Sequence, residues 1–470
     1  MSYQWRAFIV SVVWLSVALS PQVGVPILLP SIGEEFGTST TMTAWVALAY
    51  TLGMAGAFMP ATHIGDLLGH KRVAIVGSFL GIAFMLLPVA APNLGMLIGF
   101  RFAHGVVHSL AIANFITLAV GSFPQERRGR AGGLLGATLG VGWLVIPAFV
   151  GFVTDQYGWR WVFVIEAGIA LAITLAGMLA LRAGSAPIRT KPSLQEFDLP
   201  GAVLLMAGIT PLLVGVQLLR HPDTAGPWLM FAIAGVLLTV FLVTQSRLEH
   251  ATLPVHMFKR GGFTGPAANN MAMEFAQGMT TYLLPVFFIQ GLEWTATYAG
   301  TAIVTMAIAR PPSALVSGYL ADRFGSAPVA LVGGATMVAA LVSLALGGSG
   351  RTLATLLPFM VLYGISHSML RVSLQKQMFG AVPRGQLGLA PGVLGLGRHV
   401  GMAAGIGVGA ALYTAFAGDG VGVSGAAASA SDGFRAALLV AAAVVALTFI
   451  AAFAATRVHS SQLPIEDPVG

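Results

Sequence analysis

The chain has 470 residues, of which 56% are hydrophobic and only 9% charged, with a mean hydropathy of +0.83 and no cysteine. A soluble globular chain carries about a quarter charged residues, so that class is excluded. Without Cys there is neither a disulfide framework nor a thiolate metal site.

Taken in chain order, apolar runs long enough to cross a bilayer predict fourteen transmembrane helices. They fall at about 7–30, 43–64, 73–91, 94–121, 131–153, 159–181, 200–219, 227–246, 264–290, 297–320, 327–347, 353–380, 388–416 and 434–456. The first follows MSYQWR and has the flank of a signal peptide. It is too long for an h-region and carries Pro21 where cleavage would fall, so it reads as the first span. Of the 24 Lys and Arg, sixteen fall on the side of the termini and four (Arg160, Arg220, Arg351, Arg435) on the other. That bias places both termini in the cytoplasm of a multi-pass protein of the cytoplasmic membrane. The pI near 10.0 is then mostly topology, and no nucleic-acid partner is expected.

Two polar linkers, AGSAPIRTKPSLQEFDLPG (183–201) and SRLEHATLPVHMFKRGG (246–262), divide the chain. They predict an N-terminal six-helix bundle over 1–183, linkers with two additional helices over 184–262, a C-terminal six-helix bundle over 263–457 and a cytoplasmic tail over 458–470. Each half carries a similar link between its second and third spans: HIGDLLGHKR (63–72), with Asp66 and Gly69, and SGYLADRFG (317–325), with Asp322 and Gly325. The fifth spans of both halves, GRAGGLLGATLGVG (129–142) and GLAPGVLGLGRHVGMAAGIGVG (388–409), are rich in Gly, which lets helix backbones approach closely. Paired halves with matching special segments point to a transporter whose binding site lies between two bundles.

These segments resemble the major facilitator superfamily, and within it the fourteen-span drug:proton antiporter branch. SGYLADRFG follows the family's Gly-x-Leu-Ala-Asp-Arg-x-Gly link through Gly318, Leu320, Ala321, Asp322, Arg323 and Gly325. THIGDLLGHKR keeps Asp66, Gly69, Lys71 and Arg72, with Thr62 in place of the first Gly. RFAHG keeps Arg101 and Gly105 of an Arg-x-x-Gln-Gly segment, with His104 for Gln. AWVALAY (44–50), GWRWVFVIE (158–166), FDLPG (197–201) and GRHVG (397–401) are also branch-like, with Glu166 where Asn is usual. Pro21 stands where the branch carries a first-span Asp, so that carboxylate is missing. The resemblance implies an all-α major facilitator fold of two six-helix bundles plus two inserted helices. It also implies a latch between bundles at the Asp66 and Asp322 links, and a role for Arg101 in proton coupling.

A charge at mid-membrane costs about 2.5–3.5 kcal/mol on insertion scales, so those inside spans are functional candidates. Arg101, Glu274, Arg310, Arg371 and Arg398 qualify. Glu274 is the carboxylate placed deep in a span, either as a proton carrier or in a permanent pair with Arg310 or Arg371. Glu166, near the start of its span, reads as an outer-interface residue. His104 and His108, at i and i+4, share a helix face and read as polar lining or titrating groups rather than metal ligands. His367 and His399 join the three arginines in making the C-terminal half positive inside. Trp45, Tyr50, Met271, Met273 and Tyr282 are cavity candidates because aromatic and Met side chains give adaptable apolar surfaces, although most such residues simply pack.

The expected protein is a monomeric exporter of small amphipathic molecules in exchange for protons, with no cofactor, no metal and no enzymatic activity. Glu274, Arg101 and His104 are its proton-coupling candidates, and no G-x-x-x-x-G-K-[ST] segment offers nucleotide energy. The alternative is import or flipping of an anionic, lipid-like compound, favoured by Pro21 and the Arg/His balance. A receptor or enzyme using the two His fits the paired links less well.

Overall fold

The computed structural model describes residues 3–123, 128–180, 198–218, 224–248, 258, 261–347, 352–381, 389–417 and 426–460. Most of both linkers, the tail beyond 460 and the side chain of Asp66 lie outside the described residues. The regular elements among the described residues are all helical. Eleven helical stretches are long and apolar enough to cross a membrane, and Met42–Phe58 and Val203–Val216 are shorter apolar segments.

Prolines shape the two spans that matter most. The first is three helices in series, α1 (Tyr3–Val17), α2 (Ser20–Val23) and α3 (Val25–Phe36). Pro21 and Pro26 occupy the first turns of α2 and α3, where a missing amide is tolerated but the preceding helix cannot continue. The N-terminal half continues with α4 (Thr40–Leu68), α5 (His70–Leu86), α6 (Leu94–Gly121), α7 (Arg128–Tyr157) and α8 (Trp159–Ala180). A hairpin of α9 (Leu199–Leu218) and α10 (Ala225–Arg247) follows.

The C-terminal half opens with α11 (Gly261–Val286), extended by a π turn at Phe287–Gly291. Its next span is broken into α12 (Ala296–Ile308) and α13 (Arg310–Phe324) by Pro311 and Pro312. Then come α14 (Ser326–Leu346), α15 (Leu353–Ala381), α16 (Leu389–Ala417) and α17 (Ala426–Ser460).

The halves repeat one another in detail. Gly69, between α4 and α5, has φ +92°, and Gly325, between α13 and α14, has φ +88°. An L side chain is strained there, so glycine makes both turns. A Cβ at Gly105 would fall 2.1 Å from the carbonyl oxygen of Tyr50, and one at Gly364 would fall 2.2 Å from that of Met306. Thus α6 on α4 and α15 on α12 make equivalent backbone contacts. The halves meet along α7 with α12 and α4 with α16, while α9 touches both α4 and α16.

Candidate functional site

The end of the molecule carrying the α7–α8 turn is termed outer and the end carrying Gly69 and Gly325 inner, after the orientation that the basic residues predict. Each half encloses a polar cluster around a buried arginine. In the N-terminal half the centre is Arg101 of α6, which is fully buried. Its Nε donates to the Val46 carbonyl at 3.2 Å and its Nη2 to the Pro21 carbonyl at 2.9 Å. The break at α2 therefore supplies an acceptor in place of a side chain. The guanidinium also lies 4.5 Å from the Tyr50 ring centre.

Arg101 Nη1 approaches His104 Nδ1 at 3.3 Å. A guanidinium can only donate, so neutral His104 carries its proton on Nε2. That atom is buried without a hydrogen-bond partner. His104 stacks on His108 at 4.9 Å, and His108 Nδ1 shares a hydrogen bond with the Tyr50 hydroxyl at 2.8 Å. The pair is held by stacking and by Tyr50 rather than set out to grip an ion.

Glu166 corrects the sequence expectation. It is buried, at 4% exposure, and accepts a short hydrogen bond from the Ser20 hydroxyl. Arg101 interacts with it electrostatically. A carboxylate thus adjoins the position of Pro21 after all, delivered by α8 instead of the first span.

In the C-terminal half Glu274 of α11 is buried, at 2% exposure, with Arg371 of α15 at 3.5 Å. Arg310, at the α12–α13 break, donates to Gln277 at 2.7 Å and lies 4.6 Å from the ring centre of Trp143 of α7. Its carbonyl accepts from Ser368 at 3.0 Å. His367 of the same helix as Arg371 is buried, with its ring centre 6.5 Å from that of Tyr363.

Between the halves lies a cavity of about 20 Å³, lined by Val23 and Trp143 from one and by Gln277, Thr280, Ile303 and Arg310, among others, from the other. That is room for about one water molecule. Contacts between the halves flank it at either end. At the outer end Asp155 of α7 accepts from the amides of Ala296 and Thr297, at 3.1 and 2.7 Å, in the first turn of α12. Towards the inner end Phe58 of α4 meets His399 of α16 with ring centres 5.2 Å apart.

At the inner link of the C-terminal half the described contacts are local. Asp322 is exposed and pairs with Lys376 of α15 at 2.6 Å, within its own half, so it holds nothing across the interface. Arg323 donates to Tyr319, also exposed. A Cβ at Gly318 would meet nothing within 4 Å. Lys71 and Arg72 follow Gly69 in the first turn of α5. Of the apolar candidates, Met273 and Tyr282 are in the packed core and Trp45 packs against it. Met271 is 47% exposed on α11, which corrects its placement in the cavity. Asp155 was missed, although an acid in a helix's last turn is electrostatically disfavoured and invites a search for a compensating partner.

Two helical halves meeting around a small and mostly apolar cavity are an arrangement found among membrane transporters. A family model described as Major Facilitator Superfamily matches residues 7–265 and 267–468. The chain belongs to the major facilitator superfamily. This major facilitator protein is 24% identical to the riboflavin transporter RibZ of Clostridioides difficile (strain 630), over 88% of the chain and 89% of the relative. It is 27% identical to the lincomycin resistance protein of Streptomyces lincolnensis, over 85% of the chain and 82% of the relative. Its fold matches that of a bacterial homolog of the human lysosomal transporter Spinster, with a TM-score of 0.69 and 13% identity over 100% of both chains. It is a multi-pass membrane transport protein, not an enzyme.

Proposed function

We propose that the protein is a fourteen-span drug:proton antiporter of the cytoplasmic membrane, with both termini in the cytoplasm. It exports amphipathic organic compounds by alternating access, the two bundles rocking about the central cavity. The cavity in the closed form holds no more than a water, so substrate enters only when the halves part. Two relatives, named as a riboflavin transporter and a lincomycin resistance protein, support organic cargo.

The observation that carries proton coupling is the Glu274–Arg371 pair. At 3.5 Å it is looser than the roughly 2.7–2.9 Å of a tight charge-assisted hydrogen bond. Glu274 is buried, whereas the Arg371 side chain is 42% exposed. A proton arriving on Glu274 removes the charge that holds Arg371 and frees the guanidinium to move. Glu166, beside Arg101, is the corresponding carboxylate of the other half.

The test uses purified protein in liposomes with an imposed pH gradient. Internal pH is followed as cationic, neutral and anionic amphipaths are added to wild type and to Glu274→Gln. Proton movement with one class of compound, lost in the variant, is the expected result. Compound movement that needs no gradient and ignores the variant would overturn antiport.

A further inference from the structure

The interior charges of the two halves do not balance in the same way. Beside the N-terminal cavity wall, Arg101 is offset by Glu166. In the C-terminal half three guanidinium groups, Arg310, Arg371 and Arg398, share one carboxylate among the described residues, Glu274; Arg371 pairs with it and is partly exposed, so Arg310 is the buried cation left without a close counter-charge. A buried cation without a counter-charge costs several kcal/mol, so an unbalanced cluster at the centre of a membrane protein needs a reason.

The polar atoms of this cluster are also short of partners. Arg310 is 9% exposed and lines the cavity, yet its Nε has no acceptor, and its other described side-chain contacts are neutral Gln277 and the face of Trp143. Arg398 Nε and His367 Nε2 are likewise buried and unpartnered. The remaining cavity wall supplies Thr280 and Thr281 hydroxyls beside Leu284, Ile303 and Met306. Arg310 and the two threonines thus line an apolar chamber, while Arg398 and His367 lie outside its lining within electrostatic reach of Arg310, and an anion would fill the acceptor deficit.

We propose that the transported class is an organic anion, a carboxylate, sulfonate or phosphate on an apolar body. Its acidic group is taken by Arg310 with help from Arg398 and His367, and its apolar part rests on the Val23, Leu284, Ile303 and Met306 side of the opened cavity. This rests on the transporter reading but not on its proton coupling. The same chemistry would accept a free anion or the headgroup of an anionic lipid.

Trp143 provides the readout, because it stacks on the very guanidinium that would bind. Protein in phosphatidylcholine vesicles, without any gradient, is titrated with octanoate, octanol and octyltrimethylammonium while tryptophan fluorescence is followed. Trp143→Phe identifies the responding residue. Octanoate is expected to act at about tenfold lower concentration, or less, than the other two, as one charged hydrogen bond would give. The response should vanish in Arg310→Gln and survive in part in Arg310→Lys. Should Arg310→Gln misfold, Arg398→Gln is expected to weaken octanoate alone. Vesicles containing phosphatidylglycerol report the lipid source: a Trp143 change without octanoate identifies the headgroup as the anion. Equal or tighter binding of octyltrimethylammonium would overturn the proposal. Octanoate binding without any flux of the compound would instead sink the transport reading while leaving the anion site standing.

Discussion

The carboxylate of Asp155 accepts from the Thr297 amide at 2.7 Å, and so ties the last turn of α7 to the first turn of α12 across the two halves. The C-terminal end of α7 disfavours an acid, whereas the N-terminal end of α12 favours one, so the contact resolves an unfavourable placement by joining two helices. It can exist only while the outer end is shut.

Asp155→Ala is therefore expected to populate the outward-open form. The natural chain has no Cys, so Ile303→Cys, on the cavity wall, is a clean reporter. Its labelling by a membrane-impermeant maleimide from outside should rise about tenfold or more when Asp155 is removed, the worth of a hydrogen bond to a charged group. Unchanged labelling would show that Asp155 holds nothing shut.

Asp322→Asn tests the inner link. Exposed ion pairs contribute about 0–1 kcal/mol, so thermal unfolding should barely change. If the pair must break and re-form as the bundles rock, turnover should fall severely while ligand binding stays measurable. Normal turnover would leave the Asp322–Lys376 pair without a role in transport.

Glu166→Gln keeps a partner for Ser20 but takes the negative charge from beside Arg101. Transport should lose its dependence on the pH gradient in the same way as in Glu274→Gln if both halves carry protons. A variant that transports normally would confine coupling to the C-terminal half. The measurement is the same internal-pH assay, with thermal unfolding to verify the fold.

Acid should loosen the outer end of the N-terminal half. Glu35 accepts from Arg160 at 2.5 Å and from the Trp159 indole at 2.7 Å. The hydrogen bond from Arg160 holds the Glu35 carboxyl below its ordinary range. A group depressed in the folded state contributes stability at neutral pH and loses it as pH falls through the folded value. The unfolding temperature of wild type should exceed that of Glu35→Gln at pH 7, and the gap should close at a pH below about 4. A gap that stays constant would show that the contact does not rely on charge.

That the chain is built of membrane-length helices was legible because hydropathy is a local pattern, although eleven rather than fourteen helical stretches are long and apolar enough among the described residues. Arg101, Arg310 and Glu274 stood out for the same reason, as charges inside apolar runs. Glu166 was misread because its place near the start of a span says nothing about burial. Its partner Ser20 lies 146 positions away and is brought to it by the Pro21 break. The link at Asp322 suggested a contact between halves, but the fold gives Asp322 a lysine on its own side. Asp155 was hidden by the opposite effect, since its partners are backbone amides that no residue identity announces.

The closed central chamber also bears on how this protein could be blocked. With space for about one water, the cavity beside Arg310 is too small for a central inhibitor in this form. Such a compound would gain entry only in the moments when the bundles swing apart, so its onset would follow the rate of cycling: a slow protein would be resistant and a busy one vulnerable.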